Sequence, residues 1–338
     1  MAVLAKQKEL IARGKPLSVL EICVRKSWIS ASEARWCEAG DSVPKDLIPG
    51  LELGARLGVG GMSHVYRATD AASRSPVAVK ILLPRLARDA VARARFEAEC
   101  DLLCRLQHEN LVRGFYHYAV DGLHYLVMEL VDGQTALERL DRDGPFHEDL
   151  ALEIILQAAR ALESMHQQGL VHRDVKPGNL LVTKSNQVKL CDLGFAVAAG
   201  QDASHSGTVQ YLAPEQAVGE RVLDTRADIY ALGVTLFQLT MGKLPFAGTT
   251  DEEQLSKRVF DELRAKELKG IGVSQHLHYF IQKMMARERD VRYQTPAELI
   301  ADIEESLAGR SSLERRTFGA RGNGGSKVAS RLNGRRKP

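Results

Sequence analysis

Asp174, Lys176 and Asn179 sit at fixed offsets in the stretch Val171-His172-Arg173-Asp174-Val175-Lys176-Pro177-Gly178-Asn179. A second carboxylate, Asp192, follows thirteen residues after Asn179, in Leu190-Cys191-Asp192-Leu193-Gly194. A carboxylate, an ammonium and a carboxamide spaced this way suit phosphoryl transfer, which asks little covalent chemistry of a protein. The reaction needs one acceptor for the proton of the incoming hydroxyl, cations against the phosphates, and oxygen ligands to hold those cations. Asp174 suits the first task, and Lys176 adds positive charge beside the transferred group. Asn179 and Asp192 suit magnesium, a hard ion that prefers oxygen. For this stretch alone the bland alternative is a solvated charged turn between two strands.

Other segments must bring a phosphate donor to that stretch. Leu51 to Leu57 alternates as a strand, and Gly58-Val59-Gly60-Gly61-Met62-Ser63-His64-Val65 turns and re-enters one. Glycines there let backbone N–H groups close over phosphate oxygens. A dinucleotide-binding loop would need a helix after the last glycine, and the residues from Ser63 onward read as a strand. Pro76-Val77-Ala78-Val79-Lys80-Ile81 is a strand with one charge among apolar neighbours, so Lys80 calls for a partner or for a stem that snorkels from an edge. The helix expected over Asp89 to Leu106 offers Glu97 and Glu99 as that partner, and its Cys100 and Cys104 read as packing residues.

Composition sets the class. The 338 residues are 44% hydrophobic and 26% charged, as in a soluble globular chain with ample core. The net charge of +3 is unevenly placed: Arg310 to Pro338 carries nine Lys/Arg against one Glu, so the preceding residues are mildly acidic. Five cysteines without a C-x-x-C pair exclude a disulfide framework or a zinc site and point to reduced thiols in a cytoplasmic protein. No signal peptide or membrane-length apolar run is visible; Ile229 to Met241 reads as a buried helix.

Residues 1–49 show helical periodicity, and Ser30-Ala31-Ser32-Glu33 resembles a capping box opening a short helix through Trp36. The segment reads as an extension packed on the main domain or as a small regulatory module with its own partner. Residues 309–338 are Gly/Ser/Arg-rich and are expected to be a disordered basic tail, solvated or drawn to nucleic acid, anionic lipid or an acidic partner.

Glycine loop, strand lysine, helix glutamate, catalytic loop, metal turn, Ala213-Pro214-Glu215 and a late arginine occur in order, and together they resemble a bacterial serine/threonine protein kinase of the Hanks type over residues 51–308. The resemblance implies a two-lobed α+β fold: a small antiparallel sheet with one main helix (51–131) and a mostly helical large lobe (132–308). It implies ATP in the cleft with magnesium, or manganese in its place. It selects Glu99 as the partner of Lys80, Met128 as the gatekeeper, and Glu129 to Val131 as the hinge. Leu57, Val65, Ala78 and Leu181 would line the adenine site. Thr208 would bond Asp174 and Lys176. Asp228 would accept N–H bonds from the catalytic loop, and Glu215 would pair with Arg292. Arg173 is the type associated with control by a phosphorylated activation segment, where Ser204 or Ser206 would be the acceptor.

Three departures stand out. Ser63 replaces a third glycine, the metal turn reads Asp-Leu-Gly, and Gly114 occupies a place where kinases carry an apolar side chain, so Phe115 or a shifted helix must fill the gap. The expected activity is transfer of the ATP γ-phosphoryl to Ser or Thr hydroxyls of proteins, including the chain itself, with Lys176 favouring Ser/Thr over Tyr. A pseudokinase scaffold and a small-molecule phosphotransferase are the alternatives; the Gly207 to Glu215 segment and Asp228 speak against the latter.

Overall fold

The computed structural model describes residues 17–39, 43–194, 196–198, 208–220, 222–246 and 274–322, with a few single positions before residue 17. Strands β1 (Leu51–Val59), β2 (Ser63–Asp70), β3 (Pro76–Leu82), β4 (Gly114–Val120) and β5 (Leu123–Glu129) form an antiparallel sheet in the order β1-β2-β3-β5-β4. As the central strand, β3 is apolar on both faces: Val77, Ala78, Val79, Ile81 and Leu82 are all buried. Because side chains alternate along a strand, Ala78, Lys80 and Leu82 share one face. Leu82 lies in the large core that also takes in Phe96, Cys100 and Leu103, so Lys80 stands on the side of the helix carrying those residues.

The opposite face holds Val77, Val79, Ile81, Leu123, Tyr125 and Val127, an apolar layer that needs a cover. The cover is the N-terminal segment. After helices α1 (Val19–Arg25) and α2 (Ala31–Ala39), Trp36, Leu47 and Ile48 join the same buried cluster. Of the two expectations for residues 1–49, this packing is that of an extension on the main domain.

Helix α3 (Ala90–Arg105) begins at Asp89, whose carboxylate accepts the N–H groups of Val91 and Ala92. The large lobe follows with α4 (Ala136–Asp143), α5 (Glu148–His166), α6 (Thr225–Met241), α7 (Gln275–Met284) and α8 (Pro296–Gly322). α5 packs against α6 and α8, and α6 is buried nearly all round. Short strands β6 (Gly133–Thr135), β8 (Leu180–Thr183) and β9 (Val188–Leu190) make a second sheet, while β7 (Leu170–Val171) pairs with β10 (Val197–Ala198).

α8 corrects an expectation, since it runs to Gly322, into the segment read as a disordered tail. Leu313, Glu314, Arg315, Arg316 and Ala320 are strong helix formers, which carries the backbone past the packed turns. Residues 323–338 lie outside the described residues. Among the described residues no helix is long and apolar enough to cross a membrane, and all five cysteines are unpaired.

Candidate active site

The loop from His172 to Asn179 leaves β7 and enters β8, and the start of α6 holds it. Asp228 Oδ2 accepts the His172 N–H at 2.8 Å and Oδ1 accepts the Arg173 N–H at 2.8 Å. Burial pushes the Asp228 carboxyl above the usual range, opposed by His172, Arg173 and the two N–H bonds. Arg173 has φ 71, a left-handed backbone that a non-glycine residue adopts only under outside constraint, which the Asp228 pair supplies. Two bonds to the loop backbone thus tie it to Asp228 at the start of α6.

Asp174 is buried and receives donors on both oxygens. Oδ1 accepts the Thr208 N–H at 2.9 Å and the Thr208 hydroxyl at 2.8 Å. Oδ2 accepts from Lys176 Nζ at 2.7 Å and Asn179 Nδ2 at 3.1 Å. Lys176 also donates to Thr208 Oγ1 at 2.6 Å. With its amide nitrogen committed to Asp174, Asn179 presents its oxygen on the other side of the amide.

Lys80 Nζ donates to Glu99 Oε1 at 2.5 Å and to Asp192 Oδ1 at 3.3 Å. Glu97 takes the other direction, toward His124 at 3.5 Å, so Glu99 is the partner. Burial works against the charge on Lys80, yet Glu99 and Asp192 hold its pKa above the usual lysine range. Burial likewise opposes the charged form of Asp192, and the neighbouring Lys80 outweighs it, keeping this carboxyl below the usual range. Asp192 itself has φ 65 where the chain leaves β9. Asp192 offers a carboxylate and Asn179 an amide oxygen, donor types that fit magnesium, an ion that takes few protein ligands and keeps water and phosphate in the remaining positions. Among the described residues no cluster of three or more His, Cys, Asp or Glu could hold a metal alone.

The glycine-rich hairpin stands at the Lys80 end of the sheet, because Val65 pairs with Lys80 and Gly58 with Val65. Its turn closes through the Gly60 N–H to the Ser63 carbonyl at 2.9 Å; Ser63 is buried, while Leu57 and Val59 are exposed. Met62 is tied by its carbonyl, which accepts the Leu83 N–H, and His64 stands opposite Val59. A side chain at Gly58 or Gly61 would meet nothing within 4 Å. Ala78 pairs with Met128, which packs on the large core. Glu129 is bound by Lys189 at 2.9 Å, the Val131 carbonyl accepts the Gly133 N–H at 3.0 Å, and Leu181 is half-buried on β8.

Past the cleft, Arg292 and Glu215 form a two-pronged pair at 2.8 and 2.8 Å, both buried. Arg173, on the same loop as Asp174, is buried. Ser204 and Ser206 lie outside the described residues.

The protein kinase domain family matches residues 51–302 of this chain. This chain belongs to the protein kinase family. The kinase domain is 38% identical over 272 residues to the serine/threonine-protein kinase PknB of Mycobacterium leprae, covering 78% of this chain and 44% of that protein. It is 39% identical over 273 residues to PknB of Mycolicibacterium smegmatis, covering 78% and 44%. A probable serine/threonine-protein kinase of Streptomyces coelicolor is 36% identical over 294 residues, 83% of this chain and 43% of that protein. The chain thus spans less than half the length of these curated relatives.

Two features of the kinase domain were not resolved by its sequence. Asn110 is buried and donates to the Val188 carbonyl at 2.9 Å while its own carbonyl accepts the Leu190 N–H at 2.8 Å, anchoring the strand that leads to Asp192. No local pattern marks it. The second is Gly114, where the helix, not Phe115, fills the gap. A Cβ there would lie 2.8 Å from the Leu103 carbonyl carbon and 2.9 Å from the Cys104 nitrogen, so the backbone of α3 packs directly on β4. Phe115 points outward beneath the Arg113 guanidinium, 45% exposed. Backbone atoms cannot rotate aside, so Gly114→Ala must push α3 away one turn beyond Glu99. Thermal or denaturant unfolding is expected to show a loss of about 1–3 kcal/mol, with turnover falling alongside.

Proposed function

We propose that this chain is an ATP-dependent kinase that transfers the γ-phosphoryl group to Ser or Thr hydroxyls of proteins. The observation that carries this reading is the buried Asp174 carboxylate, set by Lys176, Asn179 and Thr208 at 2.7–3.1 Å within reach of the loop's charged groups. In this reading Asp174 accepts the hydroxyl proton and Lys176 offsets charge on the moving phosphoryl. Lys80, fixed by Glu99, holds the α/β-phosphates under the glycine hairpin, and Asp192 with Asn179 holds magnesium. The metal, when bound, neutralises charge across the phosphates. Ala78, Met128, Leu181 and the Glu129 to Val131 hinge frame the base, and Thr208 is a structural part of the peptide platform.

Support for the protein-acceptor class comes from the ordered Thr208 to Glu215 segment and its tie to Arg292, which a small-molecule phosphotransferase would not need. We assign Arg173 the task of clamping a phosphate on Ser204 or Ser206, and we place the enzyme in the cytoplasm on its unpaired thiols. The basic C-terminal residues suit an acidic partner, with nucleic acid, anionic lipid and plain solvation as the other readings. Incubating the purified chain with MgATP and mapping phosphosites by mass spectrometry tests the reading. Phosphoserine or phosphothreonine in the chain and in a generic basic protein, absent with Asp174→Asn, is the expected outcome. Wild-type protein that binds ATP yet modifies nothing would replace it with a scaffold role.

A further inference from the structure

The N-terminal segment reaches the two elements on which nucleotide binding depends, and it does so through polar contacts that simple coverage of an apolar face would not require. Glu33 closes its own helix cap, exchanging bonds with Ser30 at 2.6 and 3.0 Å, and is only 4% exposed. The same carboxylate takes Arg88 Nη2 at 2.9 Å on both oxygens. Arg88 is the residue immediately before Asp89, the cap of α3, at the corner where the chain passes from the strand bearing Lys80 to the helix bearing Glu99. Nearby, the Ser32 N–H donates to Asp121 Oδ2 at 3.1 Å, and a side chain on Gly122 would lie 3.4 Å from Glu33. Four residues on, Trp36 donates to the Tyr66 hydroxyl at 3.0 Å and meets His64 edge-on at 5.8 Å, and His64 belongs to the glycine-rich hairpin.

The geometry points to a brace: residues 30–39 and 43–48 fix where α3 and the glycine hairpin stand, and Glu33 is the positioning residue that sets Glu99 by way of Arg88. With the far end held at Gly114, freeing the near end swings α3 about Leu103 and Cys104; Glu99 lies four residues, about 6 Å, from that pivot, so a swing of about 10° moves Glu99 by about 1 Å. That is enough to spoil the hydrogen bond to Lys80. The far end of the helix is held by direct backbone contact at Gly114, and the near end has the Glu33–Arg88 pair. Arg88 is half-exposed, and Arg88→Gln frees that corner while Glu33 keeps its two bonds with Ser30.

The inference rests on the kinase reading for its activity arm only. Hydrogen exchange on the 338-residue chain with Arg88→Gln is expected to show amides of Ala90–Arg105 exchanging about ten times faster, with those of α5 and α6 unchanged. For ATP, kcat/KM is expected to fall about tenfold in the wild-type background and less than about twofold in a Glu99→Gln background, where the ion pair is already lost. Arg88→Lys, which keeps the charge, should recover most of both. Unchanged exchange in α3 overturns the brace, and so does an equal activity loss in both backgrounds, which would mark a general stability effect. If the wild type transfers no phosphate, the kinase reading falls, and the exchange measurement still decides the brace.

Discussion

Asp174→Asn is expected to slow phosphoryl transfer to protein by about 10²- to 10⁴-fold, the usual contribution of a positioned general base. Both oxygens of Asp174 are occupied by donors: Thr208 on one, Lys176 and Asn179 on the other. Asparagine has one oxygen to offer. With its oxygen toward Thr208, its NH₂ group faces the Lys176 ammonium and the Asn179 amide, three donors with no acceptor among them. Flipped, it faces the Thr208 N–H instead. Either way two bonds go, and the group that would take the hydroxyl proton loses its basicity. The unfolding free energy should fall by only about 1–3 kcal/mol, the cost of donors left without a partner. Nucleotide affinity should hold, because Lys80, Glu99 and Asp192 are untouched. Initial rates with radiolabelled ATP and a basic protein, together with a nucleotide titration, read both effects. A variant that keeps more than about a tenth of the rate would remove Asp174 from the role of base.

What the sequence made legible were the residues whose chemistry is local to a motif. Asp174, Lys176 and Asn179 come together because six residues of loop can only fold so far, and Asp228 reaches the loop because a carboxylate at the first turn of a buried helix must find N–H groups. Family spacing selects Glu99 over Glu97, and Glu99 lies with Phe96 and Leu103 on the buried side of the helix. What was not legible depends on where elements land against each other. Gly114 could be flagged as a gap, but whether a side chain or a helix fills it is a matter of interaxial distance, which no residue type encodes. The N-terminal segment was periodic and rich in tryptophan; that Trp36 would cap a sheet formed later in the chain is a non-local fact of topology. The length of α8 was underestimated because its polar composition suggested disorder while its helix propensity argued otherwise.

Arg292→Met is expected to lower the unfolding free energy by about 3–5 kcal/mol, because it strands Glu215 as a buried charge without a partner. The arginine is saturated. Nε donates to the Ala286 carbonyl at 2.7 Å, and the two outer nitrogens bind Glu215 at 2.8 Å each. Those same nitrogens also reach the carbonyls of Arg226 and Arg287 at 3.0 Å, and the guanidinium lies 4.9 Å from the Tyr230 ring centre. Five N–H groups thus find five acceptors drawn from the end of the activation segment, the start of α6 and the turn after α7. Lysine cannot reproduce that fork, so Arg292→Lys should recover only part of the loss. A double variant, Glu215→Met with Arg292→Met, leaves no orphaned charge between the two sites and should unfold at higher denaturant than Arg292→Met alone. Denaturant titration of the three proteins decides the matter. If the double variant is the least stable and its cost equals the sum of the two single changes, the pair is not coupled and the activation segment must be held by other contacts. If coupling is found, phosphorylation of added protein should drop in Arg292→Met while ATP affinity is kept. Glu215 follows directly on the stretch that places Thr208 against Asp174, and it shares no hydrogen bond with Lys80, Glu99 or Asp192, the proposed phosphate and metal residues.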